Sequence, residues 1–347
     1  MLAAYATRVG GDEPLDNLEV GDREPPAPPS GWALVKMTAA SLNHHDLWTL
    51  RGVSAPPSAL PRTLGCDLAG TVVESGGTGA GRFEIGTRVV AHAVVTCGEC
   101  DACLGPDETL CRKFAMLTEG PFEGTLAELC TVPAANLFAI PAGISDVEAA
   151  CLPTTFLTAY RMLFSRAGLR GGDTVLIQGA GGGLSTATER LALAAGLRVI
   201  VASRSEAKLE AALGRGVHEG VLSGPGLVGE VMKRTGGEGV DVVIESVGEA
   251  TWSTSLRVLR RGGAIVVAGS TTGSEPSADL RRVFWRQLRI LGSTMGTRAE
   301  FASMLRMVEA SGIHPVVDST YPLAEARRAF LRLEAGDVTG KLVVTRD

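Results

Sequence analysis

The chain has no run of about 18 uninterrupted apolar residues, the length a membrane-spanning helix needs, so nothing in it reads as a transmembrane segment. It has no basic excess either: 33 Lys and Arg against 38 Asp and Glu give a formal charge of −5. A nucleic-acid-binding protein needs a basic face to displace counterions from phosphates, and this balance argues against one. The first residues, Met1 to Val9, lack both a basic start and a long apolar stretch, so no signal peptide is expected. Internal repeats and low-complexity segments are also absent. Cysteine is sparse outside one place: four of the seven crowd into Cys97 to Cys111, and Cys66, Cys130 and Cys151 stand apart. A secreted chain of this size more often distributes an even set for disulfides, so the expected compartment is reducing and cytoplasmic.

Glycine, by contrast, is abundant, with 44 in 347 residues. That excess points to many tight turns and close backbone approaches, as in α/β enzymes that bind cofactors. The length suggests two domains. The first third is rich in turns and short strands such as Trp32 to Met37 and Gly70 to Glu74, separated by breakers at Pro25, Pro26, Pro28 and Pro29. From about Ile144 the texture becomes alternating strand and helix: strands at Thr174–Gln178, Arg198–Ala202, Val240–Glu245, Ala264–Ala268 and Leu288–Leu291, with helical stretches between them. Such alternation implies right-handed crossovers and a parallel, doubly wound sheet. A helix at Glu300–Ala310 and a strand at Lys341–Thr345 follow.

The run Gly179-Ala180-Gly181-Gly182-Gly183-Leu184-Ser185 lies between a strand and a helix, where a backbone can approach a pyrophosphate and helix-terminal amides can hold its charge. A strict G-x-G-x-x-G is missing, because Leu184 takes the sixth position. Gly179, Gly181, Gly182, Gly183 and Leu184 are therefore candidate dinucleotide contacts. Missing too is the carboxylate that an NAD site usually places at the end of the second strand; Ala202-Ser203-Arg204-Ser205 stands there, with Lys208 one turn on. A hydroxyl and two cations suit a ribose 2′-phosphate, so Ser203, Arg204 and Lys208 predict NADP(H). The most specific signal is Cys97, Cys100, Cys103 and Cys111: four thiolates at short spacing that can wrap one tetrahedral zinc ion, leaving no position for water or substrate. Such a site is structural rather than catalytic.

Together these features resemble the medium-chain dehydrogenase/reductase superfamily over essentially the whole chain. Ser41-Leu42-Asn43-His44-His45-Asp46-Leu47, Gly65-Cys66-Asp67-Leu68-Ala69-Gly70-Thr71 and Leu157-Thr158-Ala159-Tyr160 are similar to its quinone oxidoreductase and enoyl reductase branch, whereas the four-cysteine lobe resembles its zinc alcohol dehydrogenase branch. The resemblance implies an α/β fold with a GroES-like catalytic domain at 1–145 and 297–347, a zinc lobe at 96–112, and a Rossmann domain at 146–296. It also implies that catalytic-zinc ligand positions fall at Asn43, at Gly65-Cys66-Asp67 and near Thr154, where an amide and a hydroxyl are poor ligands. The expectation is one structural zinc and no catalytic zinc.

The expected activity is hydride transfer from NADPH to a small carbonyl, enone or quinone, with His45, His44 or Asn43 supplying the proton or hydrogen bond that the developing oxyanion needs. His45 falls where the zinc alcohol dehydrogenases keep the hydroxyl of their proton relay, and His44 where several enoyl reductases carry a tyrosine. Adjacent residues in extended chain point to opposite sides, so one histidine is expected to reach the cleft. Nicotinamide is expected between the domains near Asn43, Thr158, Gly269, Ser270, Thr294, Met295 and Gly296, with Lys341 in Gly340-Lys341-Leu342 a further contact. Two alternatives stay open: a zinc-dependent alcohol dehydrogenase rescued by His44, His45 or Cys151, and an NADP(H)-binding sensor or partner subunit with little catalysis. The apolar edge at Leu288–Leu291 predicts a homodimer.

Overall fold

The computed structural model describes residues 1–53, 57–76 and 83–346. The chain divides into two compact units, Met1–Leu157 with Met295–Asp347, and Thr158–Thr294. The expected boundaries at 145 and 297 differ from this division because the helical turn Asp146–Ala149 packs on strands of the first unit, and Thr154 hydrogen-bonds to Asp67 within it.

The first unit is built on a seven-stranded sheet whose central strand, Trp32–Ser41, pairs antiparallel with Ala69–Ser75, Leu129–Pro133 and Lys341–Thr345. The predicted strand at 32–37 thus runs on to Ser41, because Ala39, Ala40 and Ser41 are buried and find ladder partners in the returning C-terminal strand. In that antiparallel register Val343 faces Ser41, and Leu42 N–H donates to Leu342 C=O at 2.9 Å. The same register carried two residues further brings Lys341 opposite Asn43. The helix His44–Leu50 starts at once after Asn43, whose backbone N–H is accepted by the buried Asp46 carboxylate at 2.8 Å. His44 and His45 therefore sit in the first turn of a helix rather than in extended chain, and the expectation of opposite-facing neighbours is corrected accordingly.

The second unit is a six-stranded parallel sheet in the spatial order Glu219–Leu222, Arg198–Ser203, Thr174–Gln178, Val240–Glu245, Leu259–Val267, Arg289–Gly292. This is the doubly wound order, reversing between the strands at 174–178 and 240–245. Its core joins Leu176, Ile200, Val221, Val243 and Ile265 to Leu227, Val231 and Leu256 of the covering helices. Strands buried on both faces explain the continuous apolar runs of the sequence. Among the described residues the outermost strand, Arg289–Gly292, pairs only with Leu259–Val267, and it carries Ile290 44% exposed. Among the described residues, no helix is long and apolar enough to cross a membrane.

Candidate functional site

The glycine turn follows the strand Thr174–Gln178 and leads into the helix Gly183–Ala194. Gly179 and Gly181 adopt φ of +81° and +97°, a region costly for residues with a Cβ. A Cβ on Gly179 would stand 3.3 Å from Val247, in the loop after the neighbouring strand Val240–Glu245, which sets the turn at the point where strand order reverses. A Cβ on Gly181 would come within 2.9 Å of the Lys208 side chain, so the lysine stem lies directly over the turn. Gly182 caps the helix, and Gly183 and Leu184 form its first residues. The amides of Gly179 and Ala180 both donate to Ala202 C=O, at 3.0 and 2.9 Å, which fastens the end of the second strand beside the turn. Ser203 is buried there, its hydroxyl accepting Ser205 N–H at 3.1 Å, and Arg204 is exposed. Gly269 and Ser270 follow the strand Leu259–Val267 at the same edge of the sheet, against the loop that carries Ser246 and Gly248. The structure thus gathers Gly179, Gly181, Gly182, Gly183, Leu184, Ser203, Arg204 and Lys208 at one crevice-forming edge, with Gly269 and Ser270 two strands away. Thr158 opens the second unit and is buried, whereas Met295 and Lys341 belong to the first.

In the first unit the family's metal-ligand positions form a closed hydrogen-bonded cluster. Asp67, fully buried, accepts from Ser41 Oγ at 2.6 Å, Asn43 Nδ2 at 2.8 Å and Thr154 Oγ1 at 2.6 Å. Thr154 reaches it from a π-helical turn, Leu152–Phe156. Lys341 Nζ donates to Leu42 C=O and Asn43 Oδ1, each at 2.6 Å, and lies 3.5 Å from Asp67 Oδ2. Lys341 is thus a member of this cluster, with three protein oxygens around its buried ammonium. Asn43 belongs to the same cluster: its amide nitrogen donates to Asp67 and its oxygen accepts from Lys341. Cys66 is sealed beside them, 3.5 Å from Thr154 Oγ1, and burial pushes its thiol well above its ordinary pKa, with Asp67 and Asp46 adding to the effect.

The two histidines differ. His44 is exposed, and the surrounding protein, then the Lys341 and Arg51 charges, hold its pKa below the ordinary value. His45 is half-buried and its Nε2 lies 2.8 Å from Glu119 Oε1, a contact the sequence offered no motif to find. Burial pulls the His45 pKa down, but the Glu119 hydrogen bond and the charges of Asp46, Glu119 and Asp67 more than reverse it.

The thiols of Cys97, Cys100, Cys103 and Cys111 converge to within 4.8 Å of one another, with sulfur–sulfur contacts of 3.5 to 3.7 Å and no disulfide. Backbone N–H groups of Cys97 and Lys113 point at Cys111 Sγ, and amides of Glu99 and Cys100 hold the Cys97 thiol down to about 6. Four convergent soft donors with thiolate-stabilising amides fit a tetrahedral zinc ion. Glu108, within the same lobe, accepts the backbone N–H of Arg298 at 2.6 Å and its guanidinium at 2.6 Å, at the start of the helix Arg298–Ser311.

Comparison with known proteins agrees with this architecture. The alcohol dehydrogenase GroES-like domain matches residues 29–142, and the zinc-binding dehydrogenase domain matches residues 183–310. An acryloyl-coenzyme A reductase of Metallosphaera sedula is 31% identical over 94% of this chain and 96% of its own length. A quinone oxidoreductase of Rattus norvegicus is 31% identical over 95% of this chain and 92% of its own. The crystal structure of an NAD-dependent alcohol dehydrogenase superposes with a TM-score of 0.94 at 38% identity, covering all of both chains. The chain belongs to the medium-chain dehydrogenase/reductase superfamily and is an oxidoreductase of that class.

Proposed function

We propose that this oxidoreductase uses NADPH to reduce a small enone, quinone or carbonyl compound without a catalytic zinc. One observation carries the reading: Asn43, Cys66, Asp67 and Thr154, where the family's zinc alcohol dehydrogenases bind the catalytic ion, are hydrogen-bonded to one another and neutralised by Lys341. A divalent ion would have to displace a buried ammonium and gain only one thiol and one carboxylate of the usual kind. The names of an acryloyl-coenzyme A reductase and a quinone oxidoreductase among similar proteins favour conjugated acceptors.

Reduced nicotinamide, when bound, supplies hydride to the electrophilic carbon of the acceptor. The glycine turn Gly179–Gly183 and the helix it opens hold the pyrophosphate, and Ser203, Arg204 and Lys208 hold the 2′-phosphate. Thr158, Gly269 and Ser270, all in the second unit, would contact the nicotinamide end. His45 gives the proton to the oxygen on which charge develops; imidazolium is the competent form, so the rate falls as pH rises past its pKa. Cys97, Cys100, Cys103 and Cys111 hold one zinc ion that braces their lobe and takes no part in chemistry. Two copies pair along the Arg289–Gly292 edge, where Ile290 and the neighbouring Leu280, Phe284 and Trp285 are exposed.

Turnover of a panel of enones, quinones and aldehydes with NADPH and NADH, together with elemental analysis, tests the reading. Reduction of a conjugated acceptor with one zinc per chain supports it; two zinc ions per chain or equal affinity for both cofactors overturns it. Arg204→Ala should weaken NADPH binding by roughly 1.5–3 kcal/mol, the scale of a hydrogen bond to a charged group, and leave NADH binding unchanged in a direct titration. Sedimentation at micromolar concentration should find a dimer, and a monomer would reject the edge pairing.

A further inference from the structure

The contact between His45 and Glu119 joins two segments 74 residues apart, and the local structure fixes the carboxylate firmly. Glu119 closes a turn in which its own N–H donates to Met116 C=O at 2.9 Å, while its second oxygen accepts Met116 N–H at 2.8 Å. Thr118, just before it, has φ of +80°, a left-handed conformation uncommon for a β-branched residue. That conformation is fastened from both sides: Thr118 Oγ1 donates to Thr63 C=O at 2.8 Å, and its carbonyl accepts Arg62 Nη1 at 2.9 Å. The Arg62 guanidinium also binds Gly120 C=O at 2.6 Å and Phe122 C=O at 3.0 Å, so the segment wraps around one buried cation. Backbone strain held in place by several contacts is a feature of positions that must aim a side chain.

We propose that Glu119 is the positioning residue for His45: it anchors Nε2–H, fixes the ring's orientation and tautomer, and stabilises the imidazolium that donates the proton. The inference rests on the reading of His45 as donor. With Nε2–H bound to Glu119, the proton that leaves is the one on Nδ1. Nδ1 is covered and, among the described residues, has no hydrogen-bond partner, so it is the ring nitrogen left to serve a bound molecule. The proton passes to the substrate oxygen, its N–H bond breaking as the O–H bond forms; neutral His45 keeps Nε2–H and is reprotonated from solvent. The charged groups around the ring agree with this role. Asp46 on the same helix, Asp67 and Glu119 all favour the cation, while Arg62 faces Glu119 and Lys341 faces Asp67 and Asp46. Burial alone would raise the Glu119 pKa, but the His45 hydrogen bond, the Met116 amide and the His45 and Arg62 charges bring it below the ordinary value. The carboxylate therefore stays ionised where His45 titrates.

The test uses the full-length protein. Histidine NMR titration follows His45 in wild type and in Glu119→Gln, and the pH profile of kcat is measured with NADPH and cyclohexenone. The expected result is a His45 midpoint lowered by about one pH unit or more, the scale of losing an adjacent opposite charge, with the alkaline fall of kcat displaced equally. Glu119→Asp, which keeps the charge on a shorter stem, should move both in the same direction by less and serves where the Gln variant does not fold. Midpoint and alkaline limb both unmoved, with His45→Gln severely impaired, would overturn the role of Glu119 alone. A His45→Gln enzyme that turns over like wild type would remove the donor itself, and this proposal with it.

Discussion

Two sulfur- and carboxylate-bearing clusters lie in the first unit, and they have opposite chemistry. The four thiols of Cys97, Cys100, Cys103 and Cys111 meet one another and backbone amides, with the nearby Lys113 ammonium paired to Glu99. Around Asp67 every ligating group already has a partner, and the positive charge is Lys341, 4% exposed against a fully buried carboxylate. The first arrangement leaves four convergent sulfur donors, with Cys97 and Cys100 held toward their thiolates by backbone amides; the second has its cation covalently attached. A metal site is thus recognised less by which ligand types are near one another than by whether something else satisfies them.

The largest effect that would break this contrast is at the ion pair. Asp67→Ala strands the Lys341 ammonium in the interior and should cost roughly 3–5 kcal/mol of stability in denaturant unfolding, the range for breaking a buried pair from one side. Adding Lys341→Met should recover much of that loss; a single variant as stable as wild type would mean that the pair is not the cluster's cation and anion. Next, Cys103→Ser should reduce zinc content from one ion per chain toward none and lower the melting temperature, because metal-binding energy is partly folding energy. Its kcat on whatever acceptor the wild type reduces should change little while the protein is folded, and unchanged zinc content would break the contrast from the other side. The smallest effect concerns His45 and Glu119, which are partly exposed. The raised His45 pKa contributes stability below about 6.5, lost as pH rises through the folded value; the lowered Glu119 pKa contributes above about 4.3, lost as pH falls through its folded value. The destabilisation by Glu119→Gln should therefore be greatest near pH 5–6, roughly 1–2 kcal/mol, and shrink at both extremes. A flat pH dependence of that difference would count against the pair.

Local signals were legible in the sequence, and long-range pairings were not. Thr174–Gln178 and Val240–Glu245 announce themselves because strands buried on both faces must be apolar throughout, and the glycine turn because Gly179 and Gly181 occupy conformations other residues avoid. The four cysteines are close in sequence, so their spacing alone brings them together. Lys341 meets Asn43 across 298 positions, through the antiparallel register of the last strand, and no local pattern in Gly340-Lys341-Leu342 encodes that. Glu119 stands in no motif; its aim comes from the way the chain folds around Arg62. The helical start at His44 was hidden for a related reason: Asp46 accepts the Asn43 amide, and no pattern in the sequence names that partner.

Glu108 gives the four-cysteine lobe an anchorage well outside itself. At the start of the helix Arg298–Ser311 the amides of Thr297 and Glu300 are answered by the Glu300 and Thr297 side chains, but the amide of Arg298 is answered by Glu108. The lobe is consequently not a detachable loop. A shortened chain that joined Thr96 directly to Arg112 would delete the acceptor for that amide and leave the Arg298 guanidinium without its carboxylate, so any attempt to miniaturise this protein must rebuild the start of a helix nearly two hundred residues away.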